Sequence, residues 1–150
     1  MTGTSGAHGC IFCDAPLHAR ELIVARGDAA FVILNLYPYN SGHLMVVPTR
    51  HVGSLAALTP AELTEILVLT QRCEIALTEV YQPQGINVGI NLGRPAGAGV
   101  LDHVHVHLVP RWTGDTNFMS VVGNVRVLPE EVGQSADRLR PVFERLGRDA

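Results

Sequence analysis

The sequence predicts an α+β fold: an antiparallel sheet of about five strands, with a long helix packed on it and a second helix at the C-terminus. Five short apolar segments bounded by turn-forming residues predict the strands. One longer segment, with apolar residues three and four positions apart, predicts the long helix. Short connections between the first three strands favour antiparallel pairing, which is typical of the α+β class.

The first three strands are predicted at residues 21–25, 30–36 and 43–47. Residues 26–28 form a turn sequence, so the first two strands are expected to make a hairpin. Residues 37–42, which join the second and third strands, are also rich in turn formers. Pro48 is expected to end the third strand, because proline has no amide hydrogen for strand pairing.

The long helix begins with a strong capping sequence. Thr59 is a favourable N-cap, Pro60 suits the first helical position, and Glu62 completes a capping box. The helical region is expected to end by Pro83 and Gly85. Mostly apolar residues recur with helical spacing and predict one buried face, formed by Leu63, Ile66, Leu67, Thr70, Cys73, Leu77 and Val80.

Two further strands and a second helix complete the expected fold. The strands are predicted at residues 86–92 and 101–109, and the second of them alternates strictly between its two faces. A polar, amphipathic helix is predicted at residues 129–146. We expect it to be interrupted near Gly133 or Pro141, since both residue types disfavour a helix interior.

Length and composition limit the possible classes of protein. The 150 residues suit one domain, which we expect at residues 10–150 after a disordered tail at residues 1–9. Hydrophobic residues make up 47% of the chain, which is enough for a core. Charged residues are only 17%, which favours some apolar surface being covered in an oligomer. A net charge of −3 without a basic run argues against nucleic acid binding.

The sequence also indicates the compartment. No apolar run approaches the roughly 20 residues of a membrane-spanning helix, so we expect no membrane association. The N-terminal residues lack the apolar stretch of a signal peptide. We therefore expect a cytoplasmic protein. In that reducing setting Cys10-x-x-Cys13 indicates metal or redox chemistry more than a structural disulfide.

Three histidines in the fifth predicted strand are the clearest functional signal. Alternate side chains of a strand share a face, so His103, His105 and His107 are expected to lie side by side. A lone histidine is usually structural, but three with this spacing favour a function. Either metal binding or nucleophilic catalysis by one imidazole fits the spacing.

The residues before these histidines favour a phosphate site. Gly97-Ala98-Gly99 allows close approach of the backbone to a ligand, and successive N–H groups in such a loop can bind an anion. A flexible turn is the alternative interpretation of this loop alone. Beside three histidines the phosphate interpretation is favoured, because an anion site and a nucleophile together suit phosphoryl chemistry.

The pattern from His103 to Val109 resembles the His-φ-His-φ-His-φ-φ signature of the histidine triad (HIT) family, in which φ is apolar. Residues 35–48 are similar to a second motif of that family. The resemblance runs from about Cys10 to Leu128. It implies a HIT-like fold, a homodimer with two sheets joined across the two-fold axis, and an adenine nucleotide or dinucleoside polyphosphate as substrate.

The resemblance also implies roles for individual residues. It makes His105 the nucleophile that attacks the α-phosphorus of a nucleotide and forms a nucleotidyl-histidine. His43 and His107 are expected to support the phosphates and orient the nucleophile, with His103 beside them. The expected substrate-binding residues are Asn35 at the ribose, Asn91 and the Gly97-Ala98-Gly99 loop near the phosphates, and Ile11 and Phe12 at the base.

Several segments are similar to bacterial diadenosine tetraphosphate phosphorylases and hydrolases of this family, among them residues 87–93, 110–112 and 114–119. Phosphoramidase members carry a glutamine before the triad, where this chain has Gly99-Val100. We therefore expect cleavage of nucleoside or dinucleoside polyphosphates, by phosphorolysis or hydrolysis. A nucleoside phosphoramidase, a nucleotide-binding module without turnover and a catalytic metalloprotein remain as alternatives.

Cys10 and Cys13 have the spacing of half a zinc site. A redox pair is the rival interpretation, although no thioredoxin-like pattern surrounds it. Bacterial triad proteins with a similar N-terminus complete such a site with two histidines, which would be His51 and His103 here. The resemblance thus implies structural zinc. If His103 is a zinc ligand, the working triad becomes His43, His105 and His107.

Overall fold

The computed structural model describes residues 9–35, 41–97, 103–115 and 130–149. Within these ranges, three α-helices are described: α1 (Ile11–His18), α2 (Pro60–Tyr81) and α3 (Val132–Asp149). The same ranges contain the five strands β1 (Ile23–Arg26), β2 (Ala30–Leu34), β3 (Leu44–Pro48), β4 (Gly85–Ile90) and β5 (Val106–Arg111). Short 3₁₀ turns lie at Arg20–Leu22, Leu55–Ala57 and Arg94–Ala96. No helix within these ranges is long and apolar enough to span a bilayer.

The strands form one antiparallel sheet in the order β1-β2-β3-β5-β4. This confirms the predicted α+β class. The antiparallel β3–β5 register pairs Met45 with His107. β5 is therefore an inner strand, while β4 is an edge strand with mostly exposed residues.

Helices cover both faces of the sheet. On one face, α2 and α3 pack on a core that includes Val32, Val46 and Leu108. On the other face, α1 packs through Phe12 and Ala15 on a smaller cluster that includes Phe31, Ile33 and Met45. His107 extends toward the α1 face, because its neighbours Val106 and Leu108 belong to the α2 core. The position of α1 thus decides what surrounds the histidines.

The predicted strands differ from the observed ones mainly at the fifth. β5 begins at Val106, and the described residues before it, 103–105, lie outside the ladder. The reason is a different partner: the Val104 N–H donates to Val52 O at 2.7 Å instead of to a neighbouring strand. Glu21 and Leu22 likewise belong to a 3₁₀ turn and not to the first strand.

The predicted cap of α2 is confirmed, since the Thr59 side chain accepts from the Glu62 N–H and Glu62 accepts from the Thr59 N–H. The predicted buried face is partly wrong. Leu63 and Leu67 are 41% and 70% exposed. The helix carries two apolar stripes, and the sheet covers only the stripe that includes Ile66, Leu69, Cys73, Ala76 and Leu77.

Both other helices depart from expectation. α1 was not predicted, because Pro16 and the short apolar pattern of its eight residues give a weak helical signal. α3 runs without the interruption expected at Gly133 or Pro141. Burial of Leu139, Val142 and Phe143 against the core outweighs the cost of a proline in the helix. Residues 1–8 of the predicted tail at residues 1–9, and Ala98 and Gly99, lie outside the described residues.

Candidate active site and metal centre

Neighbouring strands bring two of the predicted histidines together. His43 directly precedes β3, and His107 is the second residue of β5, the next strand in the sheet. The Nε2 atom of His43 lies 2.9 Å from Nδ1 of His107. The order β3-β5 therefore joins residues that are 64 positions apart in the chain.

His105 lies just before β5 and completes a row of three imidazoles. Its Nε2 atom lies 2.9 Å from Nε2 of His107. Its Nδ1 atom lies 3.0 Å from the main-chain oxygen of His103. At the far end of the row, the side-chain nitrogen of Asn35 lies 3.1 Å from Nδ1 of His43. The row thus has a carbonyl at one end and an amide at the other.

These end groups assign every proton in the row. A carbonyl only accepts, so His105 carries its proton on Nδ1 and has a lone pair on Nε2. His107 must then donate from Nε2 and accept at Nδ1, and His43 must donate from Nε2. The remaining acceptor, Nδ1 of His43, faces the amide donor of Asn35. Each donor therefore meets an acceptor when all three rings are neutral.

Burial keeps these rings neutral. Burial, together with the neighbouring His107 and His105, lowers the pKa of His43 from 6.5 to about 4. Burial also lowers the pKa of His105 and of His107 below the ordinary value for histidine. A neutral His105, whose Nε2 lone pair accepts only the hydrogen bond from His107, can act as a nucleophile near pH 7 once His107 turns away.

The two residues expected at a nucleotide base lie at the start of α1. Phe12 is buried, and its ring centroid lies 4.8 Å from that of His105 and 5.4 Å from that of His103. It therefore buttresses the candidate nucleophile, a contact that the sequence did not indicate. Ile11 is 61% exposed, so its side chain is accessible to a ligand.

The loop after β4 contains the expected phosphate-binding residues that the structure describes. Asn91 donates its side-chain N–H to Gly97 O at 3.3 Å and so closes this loop. Gly97 has a φ of 94°, and a β-carbon there would lie 3.6 Å from the Asn91 amide nitrogen. Asn91 thus supports the glycine loop that leads into the histidines.

All four predicted metal ligands meet in one place. The candidate ligand atoms of Cys10, Cys13, His51 and His103 lie within 4.8 Å of one another. Nδ1 of His103 is 3.3 Å from Cys10 Sγ and 3.6 Å from Cys13 Sγ. Nδ1 of His51 is 3.1 Å from Cys13 Sγ. A tetrahedral zinc ion with two sulfur and two nitrogen ligands separates them by roughly 3.3–3.8 Å, so this donor set fits the ion.

The environment of Cys13 does not suit the attacking thiol of a redox pair. Burial and the neighbouring Cys10 thiol raise the pKa of Cys13 to about 11. Redox-active cysteines in Cys-x-x-Cys motifs have lowered pKa values, because the thiolate is the reactive form. A bound cation instead stabilises thiolates directly, whatever the pKa of the free thiol.

Hydrogen bonds fix His103 and the segment that carries His51 at the candidate metal centre. Nε2 of His103 donates to Pro48 O at 2.7 Å, so neither ring nitrogen of His103 is available to a substrate. Arg50, next to His51, bonds Glu62 and Ala57 O and so fastens this segment to the start of α2. The sequence did not identify the Pro48 carbonyl as the partner of His103, because every residue has a main-chain carbonyl.

A family model described as HIT domain matches residues 18–114. The chain belongs to this family. It is 50% identical over 121 residues to a Mycobacterium tuberculosis protein named AP-4-A phosphorylase, covering 79% of this chain and 62% of that protein. It is 36% identical over 104 residues to a Schizosaccharomyces pombe asymmetrical bis(5'-nucleosyl)-tetraphosphatase, covering 69% of this chain and 56% of that protein. The chain thus spans less than two thirds of the length of these two HIT relatives.

Solved HIT structures share the whole fold. A Zn-bound histidine triad family protein from Mycobacterium smegmatis aligns with a TM-score of 0.73 at 24% identity, covering 96% of this chain and 99% of that one. A hypothetical histidine triad nucleotide-binding protein from Sulfolobus tokodaii aligns with a TM-score of 0.74 at 25% identity, covering 93% of this chain and 95% of that one. The predicted family and fold are therefore confirmed.

Proposed function

We propose that this chain cleaves dinucleoside polyphosphates by transferring a nucleotidyl group to His105. The observation that carries the proposal is the hydrogen bond from His105 Nδ1 to the His103 carbonyl, which leaves a lone pair on Nε2. The names of the HIT relatives, AP-4-A phosphorylase and asymmetrical bis(5'-nucleosyl)-tetraphosphatase, support this substrate class.

In the first step, Nε2 of His105 attacks the α-phosphorus of the substrate. A nitrogen–phosphorus bond forms as the bond from phosphorus to the bridging oxygen breaks. The electron pair leaves with that oxygen on the departing nucleoside polyphosphate, which is a stable anion. His107, which donates to His105 in this structure, would turn its Nε2–H to a phosphate oxygen and stabilise the developing charge.

In the second step, an acceptor attacks the same phosphorus and the nitrogen–phosphorus bond breaks. Inorganic phosphate as acceptor gives phosphorolysis, and water gives hydrolysis. We favour phosphate, since the relative that is 50% identical bears the name of a phosphorylase. The electron pair of the broken bond returns to Nε2 of His105, and His43 and Asn35 hold His107 in one tautomer through both steps.

We assign the substrate contacts by position. Ile11 is exposed and would contact the base, while Phe12, next to it in the chain, packs against His105 and would line the inner side of the base site. Asn91 would contact the phosphates, together with the Gly97-Ala98-Gly99 loop. Asn35, which bonds His43, would contact a ribose hydroxyl.

One assay tests the proposal: diadenosine tetraphosphate is incubated with the protein, with and without phosphate, and the products are separated. We expect ADP plus ATP in phosphate, whereas AMP plus ATP would indicate hydrolysis. No cleavage under either condition, with tight AMP binding, would favour a binding module. Faster release of AMP from an adenylated amine than from the dinucleotide would favour a phosphoramidase.

We also propose that Cys10, Cys13, His51 and His103 hold a structural zinc ion. Four protein ligands leave no open position for a substrate, so the ion would crosslink α1 to the segment that carries His103 and His105. Thiolate ligands must remain reduced, and the cysteines are free thiols. A cytoplasmic location suits them.

Finally, we propose a homodimer that forms across β4. This edge strand has Val88 52% exposed, and the neighbouring stripe of α2 has Leu67 70% exposed. A groove of about 670 Å³ separates the two elements and includes both side chains in its lining. Pairing of two β4 edges about a two-fold axis would extend the sheet and cover this apolar surface.

A further inference from the structure

We propose that Glu130, just before α3, is a positioning residue for His43 and acts through the turn Ser41-Gly42. This inference rests on the proposed role of His43 in nucleotidyl transfer. It assigns the C-terminal helix a part in the active site, although Glu130 is not in contact with any of the three imidazoles in the described structure.

Glu130 joins three parts of the chain. Its Oε1 atom accepts hydrogen bonds from the Tyr81 hydroxyl and from the Ser135 hydroxyl, both at 2.8 Å. Its Oε2 atom pairs with the Arg138 guanidinium. Its backbone N–H donates to Ser41 Oγ at 2.8 Å. Helix α3 and the end of α2 are thereby fastened to the turn before β3.

Tyr81 makes a second connection to the same turn. Gly42 has a φ of 81°, and a β-carbon there would lie 2.8 Å from Cε2 of Tyr81 and 3.0 Å from Cδ2 of Leu77. The Tyr81 ring therefore occupies the space that a side chain at position 42 would need. Since Glu130 holds the hydroxyl of this ring, its carboxylate fixes the surface on which the turn lies.

Charge and burial favour a rigid arrangement. The Glu130 side chain is 19% exposed. Burial raises the pKa of Glu130, but hydrogen bonds from Tyr81, Arg138 and Ser135 outweigh it and lower the pKa below the ordinary value. An ionised carboxylate with three donors is held more strongly than a neutral group. The Arg138 guanidinium also lies 4.8 Å from the centroid of the Tyr81 ring.

His43 is the next residue after this turn. Its Nε2 atom donates to His107 across 2.9 Å, and a hydrogen bond of this kind weakens steeply when the donor shifts or tilts. A looser turn would let the His43 ring move, and His107 would lose the partner that sets its tautomer. The effect on His105 would follow through His107.

Two variants and a matched control test this role. Ser41→Ala removes the acceptor for the Glu130 N–H, and Glu130→Gln removes the charge while keeping the shape. The control is Glu79→Gln, because Glu79 pairs with Arg145 between the same two helices and not with Ser41, Tyr81 or Arg138. The readouts are kcat and KM for diadenosine tetraphosphate and the imidazole ¹⁵N resonances of His43.

We expect both test variants to lower kcat about 5- to 20-fold with KM within two-fold. Their His43 ¹⁵N resonances should move toward an average of the two tautomers, whereas Glu79→Gln should match the wild type in both readouts. Wild-type His43 resonances in both test variants would overturn the proposal, as would an equal loss of kcat in Glu79→Gln.

If Glu130→Gln does not fold, the result for Ser41→Ala decides the proposal. The NMR readout needs no substrate. If the wild type does not cleave diadenosine tetraphosphate, the proposed function fails while the positioning of His43 is still decided by its resonances.

Discussion

His105 donates its Nδ1–H to the main-chain oxygen of His103 at 3.0 Å, while the His103 ring faces Cys10 and Cys13. One residue thus serves two sites through different atoms. Its imidazole belongs to the candidate metal centre, and its carbonyl sets the tautomer of the candidate nucleophile. The proposed metal would therefore act on catalysis by holding the backbone at His103.

His105→Ala is expected to lower cleavage of diadenosine tetraphosphate by at least about 1000-fold, because it removes the proposed nucleophile. The unfolding midpoint should stay close to that of the wild type. His18→Ala is the matched control, since His18 is exposed on α1. Rates from product analysis check this, and substantial cleavage by His105→Ala would contradict the proposed mechanism.

Zinc content is expected to be one ion per chain by elemental analysis of the purified protein. Cys13→Ser should lose this zinc and lower Tm by about 10 °C, which corresponds to loss of a few kcal/mol in a chain of this size. Cys73→Ala is the control, because Cys73 is buried in α2 away from the other two cysteines. Retention of zinc by Cys13→Ser would refute the assigned ligand set.

Acid is expected to destabilise the fold through His43. Its pKa is about 4 when folded and 6.5 ordinarily, so the unfolded chain binds more protons between these values. The contribution to stability is fully present above pH 6.5 and is lost as the pH falls toward 4. At pH 5.5 the loss is about 1 kcal/mol.

Urea unfolding at pH 7.5 and pH 5.5 measures this loss. His43→Gln should lose about 1 kcal/mol less than the wild type over the same interval, since glutamine does not titrate. His18→Gln, at an exposed position of α1, should lose as much as the wild type. Equal losses in the wild type and His43→Gln would show that burial does not lower the pKa of His43.

Val88→Glu is expected to convert the proposed dimer to a monomer, because it places a charge at the centre of the β4 edge. Leu17→Glu is the control. Leu17 is 78% exposed on α1, on the opposite face of the sheet from α2. Light scattering after size exclusion measures the molar mass of the wild type and of both variants. A monomeric wild type, or a Val88→Glu variant that remains dimeric, would disprove the interface.

Much of the site was predictable from local patterns. The alternation of His103, His105 and His107 predicted a group of neighbouring histidines, and the spacing of Cys10 and Cys13 predicted half of a candidate metal site. The capping box at Thr59 located the start of α2 within one residue. These features succeeded because each depends on residues a few positions apart, whose relation is set by backbone periodicity.

Other features required contacts between distant residues. Ile66 and Leu67 both fit the helical spacing of apolar residues. Ile66 is buried because it faces the sheet, whereas Leu67 faces away from it and is exposed. The proposed role of Glu130 was not visible in the sequence, since its partners Ser41 and Tyr81 are 89 and 49 positions away.

The sequence by itself determined the fold class and the family, and it indicated which histidines and cysteines belong to the candidate sites. The tertiary structure decided which atom of each histidine faces which partner. His103 shows the difference: its ring lies beside Cys10, 93 positions away, and its carbonyl accepts from His105. A proton on imidazole goes to whichever nitrogen meets an acceptor, and only the folded chain brings that acceptor into place.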